Sequence, residues 1–201
     1  VSNFVKEETR QLVGLGDVAI EVIYNPIDVS KFHNTSSIEA IPYTIFFAGS
    51  LVEKKGIRQL IQALDFLVED YPEIHLYIAG RDAVVPGTNT PYRPILESAI
   101  TSKIKRHITF LGVVPNQDMP VRIAEAQICC YPSHMEAMPL AWLEVLSMGK
   151  IFIGSATGPG PEVVTHGKTG LLCNPHDPKA IAAQIKWVFQ NLEAAKTIGK
   201  Q

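Results

Sequence analysis

A chain of 201 residues, 46% hydrophobic and 19% charged, is long enough to bury a sizeable core and too apolar for a disordered segment. Its formal net charge of −2, with Lys and Arg scattered rather than clustered, supplies no basic field for nucleic acid. No apolar run is long enough to span a bilayer and no charged-then-apolar leader opens the chain. Three cysteines, two of them adjacent (Cys129 and Cys130), give neither a disulfide framework nor a zinc spacing, so a reducing, cytoplasmic setting is expected. The start at Val1 and the stop at Gln201, soon after an apolar helical pattern, suggest a piece of something longer.

In chain order, short apolar runs predict strands at 19–25 (AIEVIYN), 43–49 (YTIFFAG), 75–80 (HLYIAG), 107–112 (HITFLG), 128–133 (ICCYPS), 151–155 (IFIGS) and 170–175 (GLLCNP). Several are continuous rather than alternating, as in strands covered on both faces. Amphipathic patterns predict helices at 57–71, 93–105, 117–126, 139–149 and 177–192, the last with Asp177 as N-cap and Pro178 at the first helical position. The alternation is the signature of an α/β doubly wound parallel sheet, Rossmann-like. Residues 25–42 read as a linker and 84–92 as a long loop, which divides the chain into a lead-in and interdomain linker (1–40) and a main domain (41–201).

Ligands of open α/β sheets bind beyond the carboxyl ends of the strands, so the loops there come next. The first strand of the main sheet runs into GSLVEKKG, where Gly49 and Gly56 frame Lys54 and Lys55 ahead of a helix. That helix start is suited to phosphate, although the order is not that of a Walker loop. The run 75–80 leads to Arg81 and Asp82, and 151–155 to a glycine-rich turn and a helix carrying Glu162. The run 128–133 leads to EAMPLAWLE: Glu136 falls in the loop, Pro139 in the first turn of a helix, and Glu144 more than a turn inside it. Any one of these features is ordinary α/β punctuation or a solvated surface. Their convergence on one sheet edge, with Glu144 among Leu143, Val145 and Leu146 where an unpaired carboxylate is costly, singles them out.

The stretch PSHMEAMPLAWLEVLSMGK resembles the donor-site motif of the retaining glycosyltransferases of family 4 (group 1), a glutamate and a second glutamate separated by seven residues. The likeness extends to NPIDVSKF, FFAGSLVEKKGIRQLIQAL, FLGVV and GPEVVTHGKTGLLCNPHDPKAIAAQI, so it covers nearly the whole chain in the family's order. It corresponds to the C-terminal, nucleotide-sugar-binding half of a GT-B enzyme whose N-terminal acceptor-binding domain lies outside this sequence.

The resemblance implies that Glu144 accepts hydrogen bonds from the ribose hydroxyls and that Glu136 faces the donor sugar. The backbone of Ala137, Met138, Pro139 and Leu140 would hold sugar and distal phosphate, and Lys55 would grip the diphosphate. Gly49 and Ser50 would line the same edge, and Gly112 with Val113 would lie against the base. The family usually has an arginine where this chain has Ser50, which leaves Arg81 or Lys54 to substitute, or a weaker grip on the donor. Lys55 and Glu136 are thus the catalytic candidates, Glu136 as a substrate-positioning residue rather than a general base, with same-face attack guided by the leaving phosphate. No cofactor is expected beyond the nucleotide sugar itself (a UDP- or GDP-sugar), and no metal, because no Asp-x-Asp pair occurs. His134 and His166 read as loop histidines near the surface.

The implied role is sugar transfer in polysaccharide or glycolipid biosynthesis, by a fragment inactive alone. The full-length enzyme would work at the inner face of a membrane if its acceptor is membrane-associated. Ser50 and the absent partner domain favour the alternative of a non-catalytic nucleotide-sugar-binding or interaction module. The glutamate spacing disfavours a sugar-nucleotide epimerase of the same architecture, and the absence of GxGxxG after the first strand disfavours a nicotinamide-binding domain.

Overall fold

In the computed structural model, which describes residues 1–33 and 38–201, six strands form one parallel sheet. They are β1 (Ile41–Ala48), β2 (His75–Ala79), β3 (Ile108–Gly112), β4 (Ala126–Tyr131), β5 (Phe152–Ser155) and β6 (Leu171–Cys173). Their order across the sheet is β3-β2-β1-β4-β5-β6, the doubly wound arrangement. Central strands are buried as their continuous apolar sequence requires: all six residues of β4 are buried, as are Thr44 to Phe47 of β1.

Helices α1 (Asn3–Val13), α2 (Ile57–Ala63), α3 (Arg93–Ser98), α4 (Met119–Glu125), α5 (Leu140–Ser147), α6 (Gly160–Val163), α7 (Pro178–Gln190) and α8 (Leu192–Gly199) complete the fold. Asp177 caps α7, its carboxylate accepting from Lys179 N–H at 2.9 Å. The chain from β6 returns through α7, which packs on α2. On α5, Trp142 is 1% exposed and its ring stands 5.1 Å from that of Phe152. The three cysteines are free and buried, and burial pushes the Cys129 and Cys173 thiols up to about 12, so they serve as packing.

Three expectations are corrected. The run 19–25 is not a strand: no described strand lies alongside it, Ile23 and Tyr24 are 74% and 53% exposed, and without a partner an apolar run has no ladder to join. The patterns at 57–71 and 93–105 give shorter helices than expected. The first passes into a 3-10 turn at Leu64–Phe66, and the second stops at Ser98 before Ile100, Thr101 and Ser102, whose branched and hydroxyl side chains compete with helix. Helices α1 and α8 were not anticipated, although Ser2 accepting from Val5 N–H and Gly14 at φ 67° bracket α1 with ordinary caps. The linker at 25–42 includes residues 34–37, which lie outside the described residues; the rest of it up to β1 is irregular.

Because Trp142 seats the helix that carries Glu144, Trp142→Ala is expected to lower unfolding free energy by about 3–5 kcal/mol, the usual range for a large aromatic in a close-packed core. Urea denaturation followed by tryptophan-independent circular dichroism checks it.

Candidate functional site

Strand order reverses between β1 and β4, and there the loops that follow these two strands meet. Gly56, at φ 67°, ends the β1 loop with its Cα so close to the β4 loop that a Cβ would stand 1.8 Å from the Pro132 carbonyl oxygen. The His134 N–H donates to the Lys54 carbonyl at 2.8 Å, stitching the loops together. One residue further along, Lys55 Nζ lies 2.5 Å from Glu136 Oε1, with side chains 24% and 12% exposed. The β2 loop joins the same edge: Leu51 N–H donates to the Arg81 carbonyl, Gly80 N–H to that of Gly112, and a Cβ on Gly80 would meet the Gly49 carbonyl oxygen at 1.8 Å.

A second cluster, which the sequence reading missed, holds the β1 loop from behind. Glu53 accepts from Arg58 Nη2 at 2.5 Å and Nε at 3.0 Å, from Gln59 Nε2 at 3.2 Å, and from the Tyr92 hydroxyl. The Arg58 guanidinium, helped by Tyr92 and Gln59 against the opposing effect of burial, holds the Glu53 carboxyl at about 2. Burial, then Glu53, pushes the Tyr92 hydroxyl up. Asp82, expected at the ligand edge, instead accepts from the Tyr92 and Arg93 N–H groups at 3.1 and 2.9 Å and anchors the start of α3. Glu53 and Arg58 are five residues apart, off the helical pairing period, and Tyr92 is far along the chain, so no local pattern announces the cluster.

On the β4 side, Pro139 (φ −76°, ψ 116°) is the N-cap of α5 rather than a residue of its first turn, because its extended ψ precedes the helix. Glu144 is the fifth residue of α5 and half-buried. Burial raises its carboxyl above the usual range, and Lys31 works against that. Lys31 is followed by Phe32, which is 3% exposed and whose carbonyl accepts from Ser147 Oγ at 2.7 Å, so the segment before the sheet is docked on α5.

That segment makes a further set of contacts. Asn25 Nδ2 donates to the Met138 carbonyl at 2.9 Å. Glu162 Oε1 accepts from Asn3 N–H at 2.8 Å and from the Tyr24 hydroxyl at 2.9 Å, and Oε2 from Phe4 N–H at 3.1 Å. Burial opposes ionisation of Glu162, and these donors outweigh it, so its carboxyl sits below the usual range. Gly158, at φ 59°, lies between them: a Cβ there would be 3.8 Å from the Phe4 ring and 3.9 Å from the Glu136 backbone.

The structure therefore brings Gly49, Ser50, Lys55, Glu136, Ala137, Met138, Pro139, Leu140 and Glu144 to the β1–β4 edge. Arg81, exposed, and Val113, 71% exposed, stand at the adjoining β2–β3 edge beside Arg93, whose guanidinium lies 4.6 Å over the Phe110 ring. Ser50 is half-buried and Lys54 exposed. The His134 ring stacks on His176 at 4.1 Å, and burial, then His176, pushes it down; His166 Nδ1 accepts from Leu172 N–H at 2.9 Å. Both histidines are used in packing the loops. Among the described residues no three His, Cys, Asp or Glu side chains group as metal ligands. No helix among them is long and apolar enough to cross a membrane.

The family model for glycosyl transferases group 1 matches residues 28–201, and the chain belongs to that family. The glycogen synthase of Mycobacterium tuberculosis is 28% identical over 193 residues, 96% of this chain and 45% of that protein. The chain thus spans about half the length of the curated relatives it matches. Among solved structures, the C-terminal domain of a glycosyl transferase group 1 family protein from Francisella tularensis superposes with a TM-score of 0.74 at 20% identity, covering 87% of this chain and 93% of that one. Anabaena HepE, solved in complex with UDP-glucose, gives a TM-score of 0.82 at 21% identity over 97% of this chain and 55% of that one. The six-stranded sheet is the Rossmann-like C-terminal fold of GT-B glycosyltransferases.

Glu53 yields a pH prediction with a definite sign. Its carboxyl is depressed from 4.5 to about 2 in the fold, so its contribution is fully present above pH 4.5 and is lost as pH falls from there through about 2. With Glu53 and Arg58 side chains 44% and 36% exposed, solvent screening keeps that contribution small. Glu53→Gln should flatten the acid limb of a melting-temperature profile across that window and leave the slope near neutrality unchanged.

Proposed function

We propose that the chain is the donor-binding domain of a retaining, family 4 glycosyltransferase, with residues 41–201 as the nucleotide-sugar-binding unit and 1–40 as lead-in and linker. The observation that carries this reading is Lys55 set against Glu136 at the strand-order reversal, with Glu144 on the helix that starts three residues after the Glu136 loop turns at Ala137. In this reading the diphosphate of a UDP- or GDP-sugar lies at Lys55 and the exposed N–H groups at the start of α5. The ribose hydroxyls donate to Glu144, which turns an expensive half-buried carboxylate into a satisfied one. The base lies along Gly112 and Val113, with Arg81 nearby in place of the arginine that Ser50 replaces.

As the sugar–phosphate bond lengthens, charge gathers on the leaving diphosphate, and Lys55 with those N–H groups stabilises it without a metal. Glu136 orients the sugar, and the acceptor attacks the face the diphosphate leaves. The acceptor site belongs to the half of the relatives' length that this chain does not span, and a polysaccharide or glycolipid acceptor, at the cytoplasmic face of a membrane where it is lipid-linked, is in keeping with the family. The 201 residues alone should therefore bind donor and fail to transfer it at a useful rate, because an open half-cleft neither orients an acceptor nor excludes water. Robust transfer from radiolabelled donor by this chain would contradict that.

Calorimetric titration with UDP-, GDP- and ADP-sugars and their nucleoside diphosphates tests the site itself. Lys55→Ala and Glu144→Ala should each weaken nucleoside diphosphate by about 1.5–3 kcal/mol, the loss of a charged hydrogen bond. Unaltered affinity in both variants, or no binding by the parent, would refute the assignment.

A further inference from the structure

We infer that Glu136 discriminates the intact donor from the spent nucleoside diphosphate by competing with the diphosphate for Lys55. The inference rests on the donor-site reading above and adds to it a role for Glu136 that contact with the sugar does not entail.

In the fold the anion on Lys55 is the protein's own carboxylate, at 2.5 Å. The pair is also the most enclosed among the described residues: its side chains are 24% and 12% exposed, whereas every other ion pair has both partners at 35% or more. Ion pairs on open surface are worth little, but separating an enclosed pair without replacing each partner is costly. A diphosphate that reaches Lys55 must make that separation, and what then happens to Glu136 depends on the ligand. When a sugar is attached, its hydroxyls donate to the freed carboxylate and replace the lysine. When the sugar is gone, the carboxylate faces a diphosphate of like charge with no donor in its place.

The Glu136 backbone has little room to retreat. His134 N–H is bound to Lys54 O at 2.8 Å and the Met138 carbonyl to Asn25 Nδ2 at 2.9 Å, so the loop is pinned on both sides of Glu136. Transfer of the sugar therefore returns Lys55 to Glu136, and the product diphosphate loses its lysine to a competitor built into the loop.

The alternatives predict different signs. If Glu136 only touches the sugar, Glu136→Gln leaves bare nucleoside diphosphate affinity unchanged. If Glu136 only supports the loop, the variant weakens both ligands. Competition for Lys55 predicts that removing the carboxylate tightens the bare diphosphate and loosens the grip on the sugar.

The test is calorimetric titration of the parent, Glu136→Gln and Glu136→Ala with UDP against UDP-glucose and GDP against GDP-mannose, with melting curves to establish that each variant folds. Either folded variant should bind the diphosphate about fivefold more tightly than the parent, the worth of roughly 1 kcal/mol, and its preference for nucleotide sugar over diphosphate should shrink. Unchanged or weaker diphosphate binding by the folded variants, in a parent that does bind nucleotide, overturns this inference alone. A parent that binds neither nucleotide pair overturns the donor-site reading and this inference with it.

Discussion

The C-terminal edge of the sheet depends on one steric constraint, the close passage of the loop after β1 against the loop after β4. Gly56 takes a left-handed φ of 67° where any side chain would run into the Pro132 carbonyl. What forces the approach is burial on either side of it. Ile57, Leu60 and Ile61 of α2 are fully buried immediately after Gly56, and Tyr131 at the end of β4 packs between Phe47 and Phe152 immediately before Pro132. The core thus brings together two loops that carry a lysine and a glutamate, and the ion pair between them is a consequence of packing.

Three carboxylates stand around that edge, and they are electrostatically distinct. Glu53 with Arg58, Gln59 and Tyr92 is a saturated network behind the β1 loop, its carboxylate held ionised far into acid. Glu144 is the opposite case, a carboxylate whose burial disfavours its charge. Glu162 is occupied by the first turn of α1, so that helix, which has no buried residue, is fastened to the same loops by charge-assisted bonds rather than by apolar burial.

Much of this was legible in the sequence, for identifiable reasons. Strands β1, β2, β4 and β5 are continuous apolar runs because both their faces are covered, and α7 announces itself through Asp177 and Pro178. The placement of Lys55 and Glu136 in loops after strands, and of Glu144 inside the helix that follows, was readable from those runs with Gly56 and Pro139, whereas the roles expected of the three residues came from the family resemblance. The rest involves partners distant in sequence. Glu162 and Asn3 are 159 positions apart and Met138 and Asn25 are 113 apart, so neither contact leaves a local trace. The run 19–25 misled for the complementary reason: apolar periodicity reports a strand's readiness to pair, and only the fold supplies the neighbour. Helix α1 left no such apolar signal, because none of its residues is buried.

On the proposed reading Lys55, Glu136 and Glu144 form one site that spans a nucleotide sugar from its sugar to its ribose. A crystal structure of the chain with whichever of UDP-glucose or GDP-mannose it binds tests this most directly. In that complex the Lys55–Glu136 pair is expected to be open, with the diphosphate on Lys55 and the start of α5, a sugar hydroxyl on Glu136 and the ribose hydroxyls on Glu144. A nucleotide seated elsewhere, or bound at this edge with the Lys55–Glu136 pair intact, would contradict it.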